Sequence, residues 1–348
     1  MECEIEGNGD RAMDAVDWIE ANVELKETTS AAFLYEHMAS QSLRGLAVIY
    51  QPFDGTKRGH FVDRGQILDY AVSAGRGRVL DFGPGDGWPS LLLAPMADEV
   101  VGVDGSARRV EVCTGNAERL GVGNAFFVHV PPGERLPFED GSFDAVVAAS
   151  SIEQTPDPEA VLHELCRVLK PGGRLRMHYE SLGFYRGGRE RELWPNGADA
   201  PVQLIVFDRH VEEERARNYG LSLDLSRAEV EAVFARHGAD VAYAALTPEV
   251  LGRLCEHLIE AAVWPTRHPS CRTWLRWLDE AGFGSARPTH DGGWFAGRLF
   301  DHLGESRRPV EMDKTDELLR PLVGVVVSME APPVAPAGEW DPWITAVK

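Results

Sequence analysis

The stretch Arg78–Gly87, RVLDFGPGDG, constrains this chain more than any other. Apolar residues run into an Asp, and after Phe82 come three glycines at alternate positions. The pattern predicts a buried strand that breaks into a tight turn, with an acidic side chain at the strand's end. Gly83, Gly85 and Gly87 allow positive φ and let the backbone approach a ligand where a Cβ would collide. A glycine-rich turn after the first strand of an α/β unit is where nucleotide-like cofactors sit. The question is which cofactor.

Two details argue against a dinucleotide. The spacing is G-x-G-x-G, and the third glycine of G-x-G-x-x-G falls on Trp88. A large ring there opposes the close helix–strand packing that the pattern serves. Asp81 also places a carboxylate beside the turn, where it repels a pyrophosphate and attracts an ammonium. A cofactor with an amino-acid end and an adenosine but no phosphates fits better, and S-adenosylmethionine is that molecule. A dinucleotide dehydrogenase is the weaker reading.

At 348 residues the chain is long enough for a full core with additions. Its formal charge of -20 leaves no basic stripe to release counterions, which argues against a nucleic-acid partner. Five scattered cysteines make no disulfide framework, and with no apolar leader or membrane-length run the expectation is a cytoplasmic protein without a membrane partner. The sequence does not decide between a monomer and a homodimer.

From Arg11 to about Leu46, apolar residues such as Val16, Ile19, Phe33 and Leu34 recur at helical spacing. A further helix is expected over Phe61–Ala74. Strands follow at Val79–Phe82, Glu99–Val103, Ala125–Val130, Asp144–Ala149 and Arg174–Tyr179. Helices are expected from Pro89, after Gly105-Ser106, and from Asp157-Pro158 to Lys170, where Asp then Pro suits a cap and first turn. Five strands alternating with helices predict a doubly wound, mainly parallel sheet. Asp104, at the end of strand two, is placed to take two ribose hydroxyls, since a carboxylate offers two acceptor oxygens.

The blocks VLDFGPGDG, VVGVDGS, ERLPFEDGSFDAVVA and HELCRVLKPGGRL, in that order and spacing, resemble the class I S-adenosylmethionine-dependent methyltransferases. The likeness runs over about Arg78–Glu180 and is nearest to the small-molecule branch that includes quinone-biosynthesis C-methyltransferases. It implies a Rossmann-like seven-stranded sheet, a small-molecule acceptor and S-adenosylhomocysteine as product. It places the methionine end of the cofactor at Asp81, Gly83, Gly85, Asp86 and Gly87, and the ribose at Asp104. Gly105 and Ser106 would then lie near the adenine edge, with Ser150 closing the set. The family usually carries Gly-Asp-Ala before the Glu of ERLPF, and that Asp binds the adenine amino group. This chain has Pro131, Pro132 and Gly133, so adenine is expected on backbone groups around Gly133, Glu134 and Arg135. Losing one exposed hydrogen bond costs only about 1 kcal/mol.

Beyond Glu180 the resemblance fades. The expected organisation is an N-terminal helical lid (1–75), a cofactor-binding core (76–180), a mostly helical substrate lid inserted after strand five (181–272) and a C-terminal completion of the sheet (273–348). Within the insertion, helices are expected at Val211–Tyr219, Ser226–His237 and Pro248–Val263. The last strand pair is expected at Ser285–Thr289 and Trp343–Val347, with a helix at Lys314–Met329 between them. Methyl transfer from a sulfonium needs alignment, exclusion of water and, for some acceptors, a proton acceptor. Glu153, His178 and Glu180 are the candidates for that acceptor, beyond strands four and five. His178 and Glu180 alternate on one strand face, where a carboxylate would raise the histidine's pKa. No metal site is expected, because Cys255 and His257 lie two apart on a helical run and face different ways. The competing reading is a non-catalytic S-adenosylmethionine-binding or regulatory protein.

Overall fold

The computed structural model describes residues 13–37, 53–183, 185, 187–334 and 341–348. Of the expected N-terminal helical run, residues 11–12 and 38–46 lie outside this set. The chain divides into two compact units. One holds residues up to Thr28 with Arg189–Asp208 and Arg217–Trp264, and the other holds Thr29–Gly188, Arg209–Ala216 and Pro265–Lys348.

In chain order the first unit begins with α1 (Ala15–Asn22) and the short β1 (Lys26–Glu27). The second unit then supplies α2 (Ser30–Phe33), α3 (Arg58–Ala74), β2 (Arg78–Phe82), α4 (Ser90–Leu93), β3 (Glu99–Asp104), α5 (Ala107–Leu120), β4 (Ala125–His129), β5 (Phe143–Ala149), α6 (Pro158–Val168) and β6 (Leu169–His178). The insertion follows with β7 (Arg189–Asn196), β8 (Val202–His210), β9 (Arg215–Leu223), α7 (Arg227–Arg236), α8 (Pro248–Cys255) and β10 (Leu258–Arg267). Last come α9 (Cys271–Glu280), β11 (Ser285–Thr289), α10 (Gly292–His302), α11 (Met312–Val326) and β12 (Trp343–Val347).

The larger unit is built on a seven-stranded sheet in the order β11-β12-β6-β5-β2-β3-β4. Its five central and edge strands from β4 to β6 run parallel, and β12 pairs antiparallel with both β6 and β11. Neighbouring residues on a strand point to opposite faces, and both faces are covered. Leu80, Val146 and Leu175 pack with Leu162 of α6 and Trp274 of α9, while Val79, Ala145 and Val147 pack with Tyr70 of α3 and Leu91 of α4. The expected pairing of Ser285–Thr289 with Trp343–Val347 is present, Ser285 opposite Val347.

A buried ion pair ties the sheet to its flank. Arg176 of β6 donates to both oxygens of Asp69 on α3, each at 2.7 Å, and the same carboxylate accepts from the Gly292 N–H at 2.7 Å. Helices α3 and α10 approach so closely here that a Cβ on Gly65 would stand 2.4 Å from the Gly292 carbonyl.

The insertion corrects the expectation of a mostly helical segment. Its backbone is a five-stranded sheet, β1-β10-β9-β8-β7, whose buried residues pack with those of α1, α7 and α8 in one core. Val211–Tyr219 is a turn leading into β9, not a helix, and the helix expected over Pro248–Val263 stops at Cys255 before β10. The stretch Ser226–His237 is the helix expected: the Ser226 hydroxyl caps it and the Glu229 side chain returns to the Ser226 N–H at 2.8 Å. The segment expected as an N-terminal lid is shared between the units, with described residues 13–28 in one and 29–37 and 53–75 in the other.

Candidate functional site

The chain runs outward from β2 to β3 to β4, then crosses to the other side of β2 to form β5 and β6. Strand ends on either side of such a switch point diverge and leave a crevice for a ligand. Gly83 follows β2, Asp104 ends β3 and Ser150 follows β5, so all three stand at its rim.

The glycine turn is held from two sides. Gly83, at φ +75°, donates its N–H to the Val103 carbonyl at 2.8 Å, and a Cβ there would stand 2.4 Å from the Ser151 Cβ. Gly85, at φ +60°, donates to Asp104 Oδ2 at 3.3 Å and accepts from Cys113 Sγ at 3.1 Å. The second oxygen of Asp104 accepts from the Ser106 N–H at 2.9 Å, and burial raises its pKa to about 6. The carboxylate thus braces the turn from the next strand while remaining in the crevice wall.

The crevice is a cavity of about 410 Å³. Of the residues expected to hold the cofactor, Gly83, Gly85, Asp104, Gly105, Gly133, Glu134 and Ser150 line it. Sequence reasoning missed Ser30, Tyr35 and Arg109 in the same wall. The segment Ser30–His37 is pinned at two points: Ser30 Oγ donates to the Gln154 carbonyl at 2.8 Å, and Glu36 accepts from Ser106 Oγ at 2.8 Å. A Cβ on Gly105 would meet Pro132 Cγ at 3.1 Å and Ala31 Cβ at 3.2 Å, which makes this part of the wall tight.

Four expected cofactor residues lie behind the wall. Asp81 is wholly buried, and its Oδ2 accepts from the Ser90 N–H at 3.1 Å and Oγ at 2.5 Å. Burial pushes its pKa up to about 7, and its two bonds to Ser90 fasten the start of α4. Ser106 is the N-cap of α5, accepting from the Arg109 N–H at 3.1 Å. Asp86 gives its carbonyl to Asn116 Nδ2 at 2.7 Å, and the Gly87 N–H closes the turn on the Pro84 carbonyl at 2.8 Å.

Of the three candidate proton acceptors, His178 pairs with Ser150 and Glu153 bonds the backbone of Glu180. His178 Nδ1 stands 2.9 Å from Ser150 Oγ, and its ring lies 5.2 Å from that of Trp343. Glu153 is wholly buried; its Oε1 accepts from the Glu180 N–H at 2.7 Å, and burial raises its pKa to about 8. Glu180 also stands beside a second histidine. Its carbonyl faces His268 Nδ1 at 3.1 Å, and its carboxylate partly offsets the lowering that burial imposes on that imidazole. Among the described residues, no group of three His, Cys, Asp or Glu side chains is placed to hold a metal ion. No described helix is long and apolar enough to cross a membrane.

The glycine cradle, the braced acid of β3 and the adjoining cavity suit a phosphate-free nucleoside, and the residues present fit S-adenosylmethionine. A family profile described as a methyltransferase domain matches residues 80–177. The chain is 35% identical over 119 residues to the uncharacterized methyltransferase YcgJ of Bacillus subtilis, covering 34% of this chain and 47% of that protein. It is 36% identical over 143 residues to the 27-O-demethylrifamycin SV methyltransferase of Amycolatopsis mediterranei, covering 39% and 52%. The match therefore spans about half the length of these relatives. The CcbJ methyltransferase of Streptomyces caelestis superposes with a TM-score of 0.46 at 13% identity, over 82% of this chain and 94% of that one. Residues 80–177 are a methyltransferase domain, and its relatives are S-adenosylmethionine-dependent enzymes of class I.

Proposed function

We propose that the whole chain transfers a methyl group from S-adenosylmethionine to a small-molecule acceptor by in-line displacement. The observation that carries this reading is the convergence of Gly83–Gly85, Asp104 and Ser150 on one cavity of about 410 Å³. Bound cofactor supplies an electrophilic methyl group on a sulfonium whose sulfur keeps the bonding pair when the acceptor attacks. Asp104 takes the ribose hydroxyls, and the glycine turn gives the backbone room for the chain that leads to sulfur. Ser150 and His178 are the pair we assign to receive a proton from an oxygen or nitrogen acceptor. The hydroxyl passes its own proton to Nδ1 as it accepts one from the acceptor.

The inserted segment is the proposed acceptor-selecting element, because it leaves the chain directly after β6, and long insertions at such strand ends carry specificity. The rifamycin relative supports a small-molecule acceptor. The test is transfer of labelled methyl from S-adenosylmethionine to a panel of phenols, alcohols, amines and enolisable ketones. Labelled product with release of S-adenosylhomocysteine supports the proposal. Tight cofactor binding with no transfer to any class favours the non-catalytic reading.

A further inference from the structure

Arg109 stands in the cavity wall yet is only 1% exposed, and its Nε, Nη1 and Nη2 are all buried without a hydrogen bond. The reason lies in its helix. Arg109, Cys113 and Ala117 form the buried stripe of α5, so a guanidinium occupies a position where an apolar side chain would pack. No hydrogen bond joins it to the nearby Asp104 carboxylate, whose oxygens accept from the Ser106 and Gly85 N–H groups. The ring of Tyr35 lies 5.9 Å from its Cζ, a cation–π contact that satisfies none of the five donors. A buried, unpartnered guanidinium is unfavourable, and the fold alone leaves it so.

The Asp104 carboxylate beside it already offsets its charge, so what it lacks is hydrogen-bond acceptors and not a counter-ion. A purine supplies them: it is planar, matches the flat guanidinium and carries unprotonated ring nitrogens. The Pro131–Pro132–Gly133 wall of the same cavity offers no polar side chain to such a ring. We propose that Arg109 binds the purine of the cofactor by donating to its ring nitrogens, an inference that rests on the S-adenosylmethionine reading above.

The test compares wild type with Arg109→Met in titrations with S-adenosylhomocysteine and with 5′-methylthioadenosine, which lacks the amino-acid end. Thermal unfolding without ligand is read alongside. The expected result is weaker binding of both ligands by the same factor, about tenfold to a hundredfold. The ligand-free unfolding temperature should be unchanged or raised, because Met removes an unpartnered buried charge. Unchanged affinities would overturn the proposal, as would a loss confined to S-adenosylhomocysteine, which would put the contact on its carboxylate. A lowered ligand-free unfolding temperature would make Arg109 a structural residue and also overturn it. Wild type that binds neither ligand removes the cofactor reading itself, and that outcome is visible before any variant is made.

Discussion

Ser150 and His178 are joined twice. The Ser150 N–H donates to the His178 carbonyl at 2.9 Å, and Ser150 Oγ meets His178 Nδ1 at the same distance. The two contacts link the end of β5 to the end of β6 and hold Ser150 at φ +51°, a left-handed conformation that a residue with a Cβ adopts at a cost. The pairing predicts a divided response. Ser150→Gly should relieve about 1 kcal/mol of strain and leave the unfolding midpoint equal or higher. The same variant, and His178→Gln, should lower kcat by about a hundredfold or more for acceptors that must lose a proton. KM for S-adenosylmethionine should barely move, which steady-state kinetics would show.

The Arg176–Asp69 pair is 1% and 0% exposed at its side chains and also involves the Gly292 N–H. Asp69→Ala leaves the buried guanidinium its bonds to Thr289, Thr345 and the His290 carbonyl but takes away the carboxylate that balances its charge. The expected loss is about 3–5 kcal/mol, measured as a fall in the urea midpoint at constant slope. A loss below about 1 kcal/mol would mean that water reaches Arg176 and that the pair is not buried in solution.

Glu153 gives a pH prediction. Burial raises its folded-state pKa from 4.5 to about 8. The protonated carboxyl therefore contributes stability that is fully present below 4.5 and lost as pH rises through about 8. Glu153→Gln keeps an acceptor for the Glu180 N–H and cannot ionise. Relative to wild type it should gain roughly 1–3 kcal/mol between pH 5 and pH 8.5 in denaturant titrations. Equal pH profiles for the two proteins would contradict the burial argument. Burial favours the protonated carboxyl, and for that reason we assign the proton to Ser150–His178 and not to Glu153.

The parallel core was legible because its signals are local. Val79–Phe82, Glu99–Val103 and Asp144–Ala149 are apolar runs bounded by acids and glycines, and β2, β3 and β5 match them within a residue or so. The insertion was not. Val202–Val206 is buried at every residue, so β8 shows no alternation that would mark it as a strand. In β9, Arg215 and Arg217 alternate with buried Ala216 and Asn218, a period of two that the surrounding charges disguise as a helix face. At the site, the glycine turn and Asp104 could be read from consecutive residues. Tyr35 could not, since only the fold brings it into the wall of a cavity built by residues far along the chain. Arg109 did leave a trace: it stands four residues before Cys113 and eight before Ala117, on a stripe that should be apolar.

The most direct test of the account is calorimetric titration of the wild-type chain and Asp104→Ala with S-adenosylmethionine and S-adenosylhomocysteine. The account predicts affinity on the order of micromolar for the wild type and at least about a tenfold loss in the variant, whose turn and ribose contacts both go. Absence of binding by a protein shown to be folded would contradict it, and the glycine turn would then be only a turn.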